Sequence, residues 1–144
     1  MKKNLLIVAV LTLIFSSCAV RKNDRTFTFQ GKTLCPIEIN GVPYDPSSTL
    51  EPITLNFTTT QVSDEVYKIN GHAGCNYFFG QYEAANGKIK FSDCGMTRRM
   101  CDEVTNKLEQ QISVILETAN TYKLEKGKVI LYNGKTPLAV FEVK

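Results

Sequence analysis

Between Leu34 and Val143 the apolar residues fall into short runs separated by turn signals. Ile53, Leu55 and Phe57 alternate with polar neighbours, the period-two spacing of a half-buried strand. Comparable segments lie at Leu34–Ile39, Val66–Ile69, Tyr77–Glu83, Lys88–Phe91, Tyr122–Leu124, Val129–Tyr132 and Leu138–Val143. Asn40-Gly41 closes the first of these and Asn70-Gly71 closes Val66–Ile69. Asn86-Gly87 and Asn133-Gly134 read as two-residue hairpin turns, in which both central residues take positive φ. Gly127 separates two further strands. The threonines of 54–60 and the many aromatic residues suit pleated surfaces. Within Tyr77–Glu83, Tyr77 and Phe79 point away from Phe78, so one set is expected in the core and the other on a contact surface.

One segment breaks this rhythm. From Cys101 to about Thr118 there is neither Gly nor Pro, and Val104, Leu108, Ile112, Ile115 and Leu116 form one apolar helical stripe. Asp102 and Glu103 sit in the first turn, where the helix dipole favours negative charge. The order strands, one helix, strands predicts an α+β fold. It is a mostly antiparallel sheet, barrel-like or strongly curved, with one amphipathic helix packed on it.

The amino terminus has another character. Lys2 and Lys3 precede an almost wholly apolar run, Leu5 to Phe15, and Ser16-Ser17 lead into Cys18. This is the order of a secretory leader. It resembles a bacterial lipobox, which implies a lipid on Cys18 and cleavage before it. A membrane span would need roughly 20 apolar residues, and Arg21, Lys22, Asp24 and Arg25 follow at once. The expected organisation is a leader over 1–17, a flexible tether over 18–30 and one folded domain over 31–144.

Removing the leader from 144 residues leaves 127, enough for one domain with a real core. With Lys2 and Lys3 gone, 15 basic residues face 14 acidic ones, so there is no basic footprint for nucleic acid. Of the five cysteines, Cys18 is assigned to lipid. Cys35, Cys75, Cys94 and Cys101 remain, an even number for an oxidising compartment. They allow three pairings, among which the sequence does not choose. None lies in a Cys-x-x-Cys unit, which speaks against a zinc ribbon or a thioredoxin-like site.

The richest stretch is Gly71-His72-Ala73-Gly74-Cys75-Asn76, running into Tyr77-Phe78-Phe79-Gly80-Gln81-Tyr82, with Thr97-Arg98-Arg99-Met100-Cys101 some twenty residues on. Gly74-Cys75-Asn76, Gly80, Tyr82, Thr97 and Cys101 at this spacing resemble the META domain of HslJ-like heat-shock lipoproteins. The helix, the terminal hairpin and Glu38-Ile39-Asn40-Gly41 continue the likeness, over about Leu34 to Glu142. The chain departs from that pattern in lacking Trp, in Arg99-Met100 before Cys101, in Asp102 after it, and in Cys94. The resemblance implies a small β-rich envelope domain linked to stress tolerance and drug resistance, with no catalytic residues and no cofactor. It pairs Cys75 with Cys101 and suggests a second bridge, Cys35–Cys94.

Other chemistries fit less well. His72 and Cys75 suggest a Cys–His pair, but on an extended chain they face opposite ways. One His without a close carboxylate pair makes a poor metal set. Gly31-Lys32-Thr33 and Gly134-Lys135-Thr136 lack the upstream glycine of a phosphate loop, since Thr26 and Val129 occupy that position. Asn56-Phe57-Thr58 matches a glycosylation sequon by accident of a strand. Arg98, Arg99 and Lys107 could meet an anion or an acidic surface, but read more simply as a solvated turn.

The expected protein is therefore a non-enzymatic monomer held to a membrane through lipid on Cys18. It faces the periplasm or the exterior, with the outer membrane the expected site. Its partner would be an unidentified envelope protein or ligand. A thiol-active enzyme or redox sensor using Cys75, Cys94 or Cys101 is one alternative. An inhibitor or ligand-binding module presenting the Asn86-Gly87 or Asn133-Gly134 hairpin is the other.

Overall fold

The structure, a computed structural model, describes residues 27–144. The leader, Cys18 and the tether as far as residue 26 lie outside the described residues. In chain order the elements are β1 (Lys32–Ile39), β2 (Val42–Pro43), β3 (Thr54–Ser63), β4 (Val66–His72), β5 (Tyr77–Ala85) and β6 (Lys88–Met96). Then come α1 (Glu103–Thr118), β7 (Thr121–Glu125), β8 (Lys128–Asn133) and β9 (Thr136–Val143). Strands β3 to β9 pair in sequence order, β1 pairs with β3, and β9 returns to pair with β1. The result is a closed eight-stranded antiparallel barrel, with β2 as a short flap on β1. The α+β reading holds, in its barrel form. No helix among the described residues is long and apolar enough to cross a membrane.

Alternation places one face of every long strand inside. Leu34, Leu55, Phe57, Ile69, Phe78, Tyr82, Val129, Leu131 and Phe141 are each 1% exposed or less. Eight strands leave an interior just wide enough for side chains to fill, and aromatics fill much of it. The Phe57 ring lies 4.7 Å from both Phe29 and Tyr82, centroid to centroid. Phe29, inside the expected tether, is 2% exposed. The packed chain thus begins ahead of the boundary expected at residue 31.

The wall is uneven. β6 and β7 share one residue pair, Lys88 with Thr121, whereas β7 and β8 share five. α1 connects these two strands and packs beside β6. It carries Ile112, Ile115 and Leu116 into the core. The stripe is shorter than expected, for Val104 is 56% exposed.

Turn chemistry explains the hairpins. Asn40-Gly41 and Asn86-Gly87 both take positive φ at their two central residues, as anticipated. The β8–β9 hairpin turns instead on Gly134-Lys135, because Asn133 belongs to β8 and pairs with Thr136. Asn70-Gly71 is not a turn at all: β4 runs through it to His72. A Cβ on Gly71 would lie 1.9 Å from the Thr54 carbonyl oxygen, so glycine serves close strand approach there.

The up-and-down winding sorts the connections to two poles. Phe27 lies at one, beside Asn86-Gly87 and Tyr122 to Glu125. Gly74–Asn76, the segment 97–102 and the start of α1 gather at the other.

Candidate functional site

Cys75 and Cys101 are joined, with 6.1 Å between their Cα atoms. The bridge fastens the segment before α1 to the β4–β5 connection. Beside it Asn76, 3% exposed, is the hub of a polar cluster. Its Oδ1 accepts from the Arg99 backbone N–H at 2.7 Å and from Thr97 Oγ1 at 3.0 Å. Its Nδ2 donates to the Arg99 carbonyl at 2.9 Å and to Glu109 Oε1 at 2.9 Å. Its backbone N–H donates to Glu109 Oε2 at 2.7 Å, and its carbonyl accepts from Ala73 N–H. All four hydrogen bonds of the amide side chain are made, which is what lets it be buried.

The surrounding residues serve that hub. Gly74, at φ +106°, gives the turn that delivers Cys75 and Asn76, with the Thr49 side chain packed beside it. Thr97 Oγ1 also accepts from the Tyr77 backbone N–H. The Arg99 guanidinium folds back to donate to the Cys75 carbonyl at 2.9 Å. Asp102 caps α1 by accepting from Thr105 N–H at 2.9 Å and from the Thr105 hydroxyl. Those bonds hold its carboxyl below the usual range.

Glu109 is the participant that sequence reading missed. It sits four residues after buried Thr105 and three before buried Ile112, on the face turned to the barrel. A carboxylate on that face was the available signal.

Gly80 and Tyr82 belong elsewhere. Between the pairs Phe79–Gly95 and Gln81–Ser92, Asp93 and Cys94 on β6 stand opposite Gly80 alone. This is a β-bulge, with Asp93 at φ 49°. The Cys94 sulfur occupies the place of the missing side chain, 2.7 Å from where a Gly80 Cβ would be. Tyr82 is core, and its hydroxyl donates to the Thr58 carbonyl at 3.3 Å. Burial, with Tyr67 beside it, pushes that hydroxyl up to about 12.

The expected Cys35–Cys94 bridge is absent: among the described residues both are free thiols. Cys35 lies on β1 and Cys94 on β6, with three strands between them one way round the barrel and three the other. Strands spaced about 4.8 Å apart put them far beyond the roughly 7 Å that a bridge allows between Cα atoms. Cys94 lies in a cleft of about 450 Å³ between the bulge and α1, lined also by Phe78, Phe91, Ser113, Leu116 and Glu117. The residue as a whole is exposed, but its sulfur rests on the sheet. Desolvation first, then Asp93 and Glu117, raise the thiol above its usual pKa. Burial does the same to Cys35.

The Cys–His pair does not form, since the Cys75 sulfur is bonded to Cys101 and the His72 ring packs edge-on against Tyr77. Lys135 sits in a hairpin turn and Lys32 opens β1, so neither Gly-Lys-Thr triplet builds a phosphate loop. Among the described residues no three of His, Cys, Asp and Glu gather as a metal set.

The comparisons agree with this arrangement. The family model of the META domain matches residues 27–144, the whole of the described barrel. The chain belongs to the META domain family. No curated protein matches it. A protein solved by NMR is similar at 26% identity and a TM-score of 0.59, over 78% of this chain and 89% of that one. Another NMR structure, of a protein from Burkholderia xenovorans, is similar at 18% identity and a TM-score of 0.63, over 81% of this chain and 83% of that one. The second likeness concerns the fold alone. In this META domain the cysteine pair, Asn76 and Thr97 form one latch, while Gly80 and Tyr82 shape the wall and the core.

Proposed function

We propose that the protein is a lipid-anchored META protein of the cell envelope that works by binding or by supporting the envelope under stress, not by catalysis. The observation that carries this reading is the Cys75–Cys101 bridge at the centre of the family motif. Such bridges form and persist outside the reducing cytosol, where a leader over residues 1–17, cleaved before Cys18, would deliver the chain. A diacylglycerol with a further acyl chain would hold it firmly, at about 0.8 kcal/mol per buried CH₂. The barrel would stay in water. The raised thiols of Cys35 and Cys94 weigh against thiolate chemistry, which needs a depressed pKa.

Labelling cells with radioactive palmitate tests the anchor. The wild-type protein takes up label and sediments with membranes, and Cys18→Ser does neither. An unlabelled wild-type protein refutes the anchor. Deleting the gene tests the role: permeability and drug sensitivity rise under heat or detergent. Unchanged sensitivity across those challenges refutes an envelope function.

A further inference from the structure

The segment Thr97–Cys101 runs from the end of β6 to the cap of α1 without regular secondary structure. Its residues alternate. Thr97 N–H donates to the Tyr77 carbonyl at 3.0 Å. Arg99 is held at both backbone groups by the Asn76 side chain. Cys101 is bridged to Cys75, and both its backbone groups bond to the Asn106 side chain. Arg98 and Met100 lie between these anchors. Met100 is 92% exposed, and Arg98 is exposed as well. Among the described residues the backbone groups of Arg98 and Met100 take no part in the hydrogen bonding. The loop is pinned at Thr97, Arg99 and Cys101 and open at Arg98 and Met100.

We propose that this loop is the reactive site of an inhibitor of trypsin-type serine endopeptidases, with Arg98 entering the primary specificity pocket. Those enzymes bind substrate as extended backbone and place a carboxylate at the floor of that pocket. Arg98 offers the cation, and its unpaired N–H and C=O offer the strand edge. Rigidity lowers the ordering cost of binding, and here it comes from one buried amide and one disulfide.

The same supports account for resistance to cleavage. Attack of the enzyme's serine hydroxyl on the Arg98 carbonyl forms an ester to Arg98. It breaks the Arg98–Arg99 bond, and the Arg99 nitrogen leaves as an amine after taking a proton from the catalytic histidine. That nitrogen is the atom that Asn76 Oδ1 holds at 2.7 Å. Asn76 Nδ2 keeps the Arg99 carbonyl, the Arg99 guanidinium keeps the Cys75 carbonyl, and the bridge keeps Cys101. The amine therefore stays beside the ester, re-forms the peptide bond and returns the serine hydroxyl faster than water can hydrolyse the ester. This role does not depend on the lipid anchor.

The test mixes the full chain with trypsin and follows hydrolysis of a small chromogenic arginine substrate. Reversible, stoichiometric inhibition is expected, with cleavage inside the barrel slow and confined to Arg98–Arg99 by mass spectrometry. Arg98→Lys retains inhibition, because the pocket accepts either cation. Arg98→Glu weakens it by about 100-fold or more, the loss typical of a central anchor residue. Both changes are at an exposed position, and circular dichroism confirms that the barrel is intact. Absence of inhibition, rapid cleavage of the loop to completion, or inhibition that survives Arg98→Glu overturns the proposal.

Discussion

At the scale of single residues, Asn76 is the most constrained side chain at the motif pole. Removing its amide takes the partner from Glu109 Oε1 and from both backbone groups of Arg99 in a partly buried cluster, while the backbone N–H of residue 76 still holds Glu109 Oε2. Asn76→Ala should lower unfolding free energy by about 2–4 kcal/mol in a guanidinium titration. Tyr82 makes a second, independent prediction. Its hydroxyl is raised to about 12 in the folded state, against about 10 in an unfolded chain. Stability from this group is complete below about pH 10 and is lost as pH rises from there through about 12. A spectrophotometric titration should show one tyrosine ionising late, and Tyr82→Phe should remove that step. Residue types at fixed spacing made the cysteines, Asn76 and Thr97 legible in the sequence. Glu109 was not, because a helical carboxylate is ordinarily solvated and its partner is 33 positions away. Asn70-Gly71 misled for a related reason. The same dipeptide serves a turn or a crowded strand crossing, and the deciding atom is the distant Thr54 carbonyl.

At the scale of elements, α1 was readable from its apolar stripe and its acidic start, and the strands from alternation. What pattern alone could not give was depth. Ile112 is fully buried and Val104 is half out, although both lie on the stripe. Ile112→Ala should cost about 3 kcal/mol by chemical denaturation, as large-to-small core changes do, whereas Val104→Ala should stay within about 0.5 kcal/mol. Equal effects would mean that the helix is not seated as described. The shift of the last hairpin to Gly134-Lys135 is also an element-scale outcome. β8 and β9 keep their apolar faces inward across a register irregularity at Leu131–Tyr132, and the turn follows the strands.

At the scale of the whole molecule, closure was the least legible property. β1 and β9 come together from opposite ends of the domain, and no local signal encodes that pairing. The same gap explains the expected second bridge. An even count of cysteines says nothing about which walls they occupy, and Cys35 and Cys94 stand on different ones. Alkylation of the unfolded but unreduced chain should therefore label Cys35 and Cys94 and spare Cys75 and Cys101. Reduction should then remove about 3.5 kcal/mol of stability, the chain-entropy value for residues 26 apart in sequence. Two bridges, or none, would contradict the structure.

The single pair between Lys88 and Thr121 has a consequence for how the protein fails. Every other junction of the barrel is a ladder, so amide hydrogens flanking α1 should exchange with solvent first. Once the helix lifts away, β6 and β7 present two naked edges that can recruit a neighbouring molecule. The disulfide fastens the segment just before that helix. Losing it turns a self-contained cylinder into an open ribbon, and crowded, reduced chains should exchange strands and precipitate.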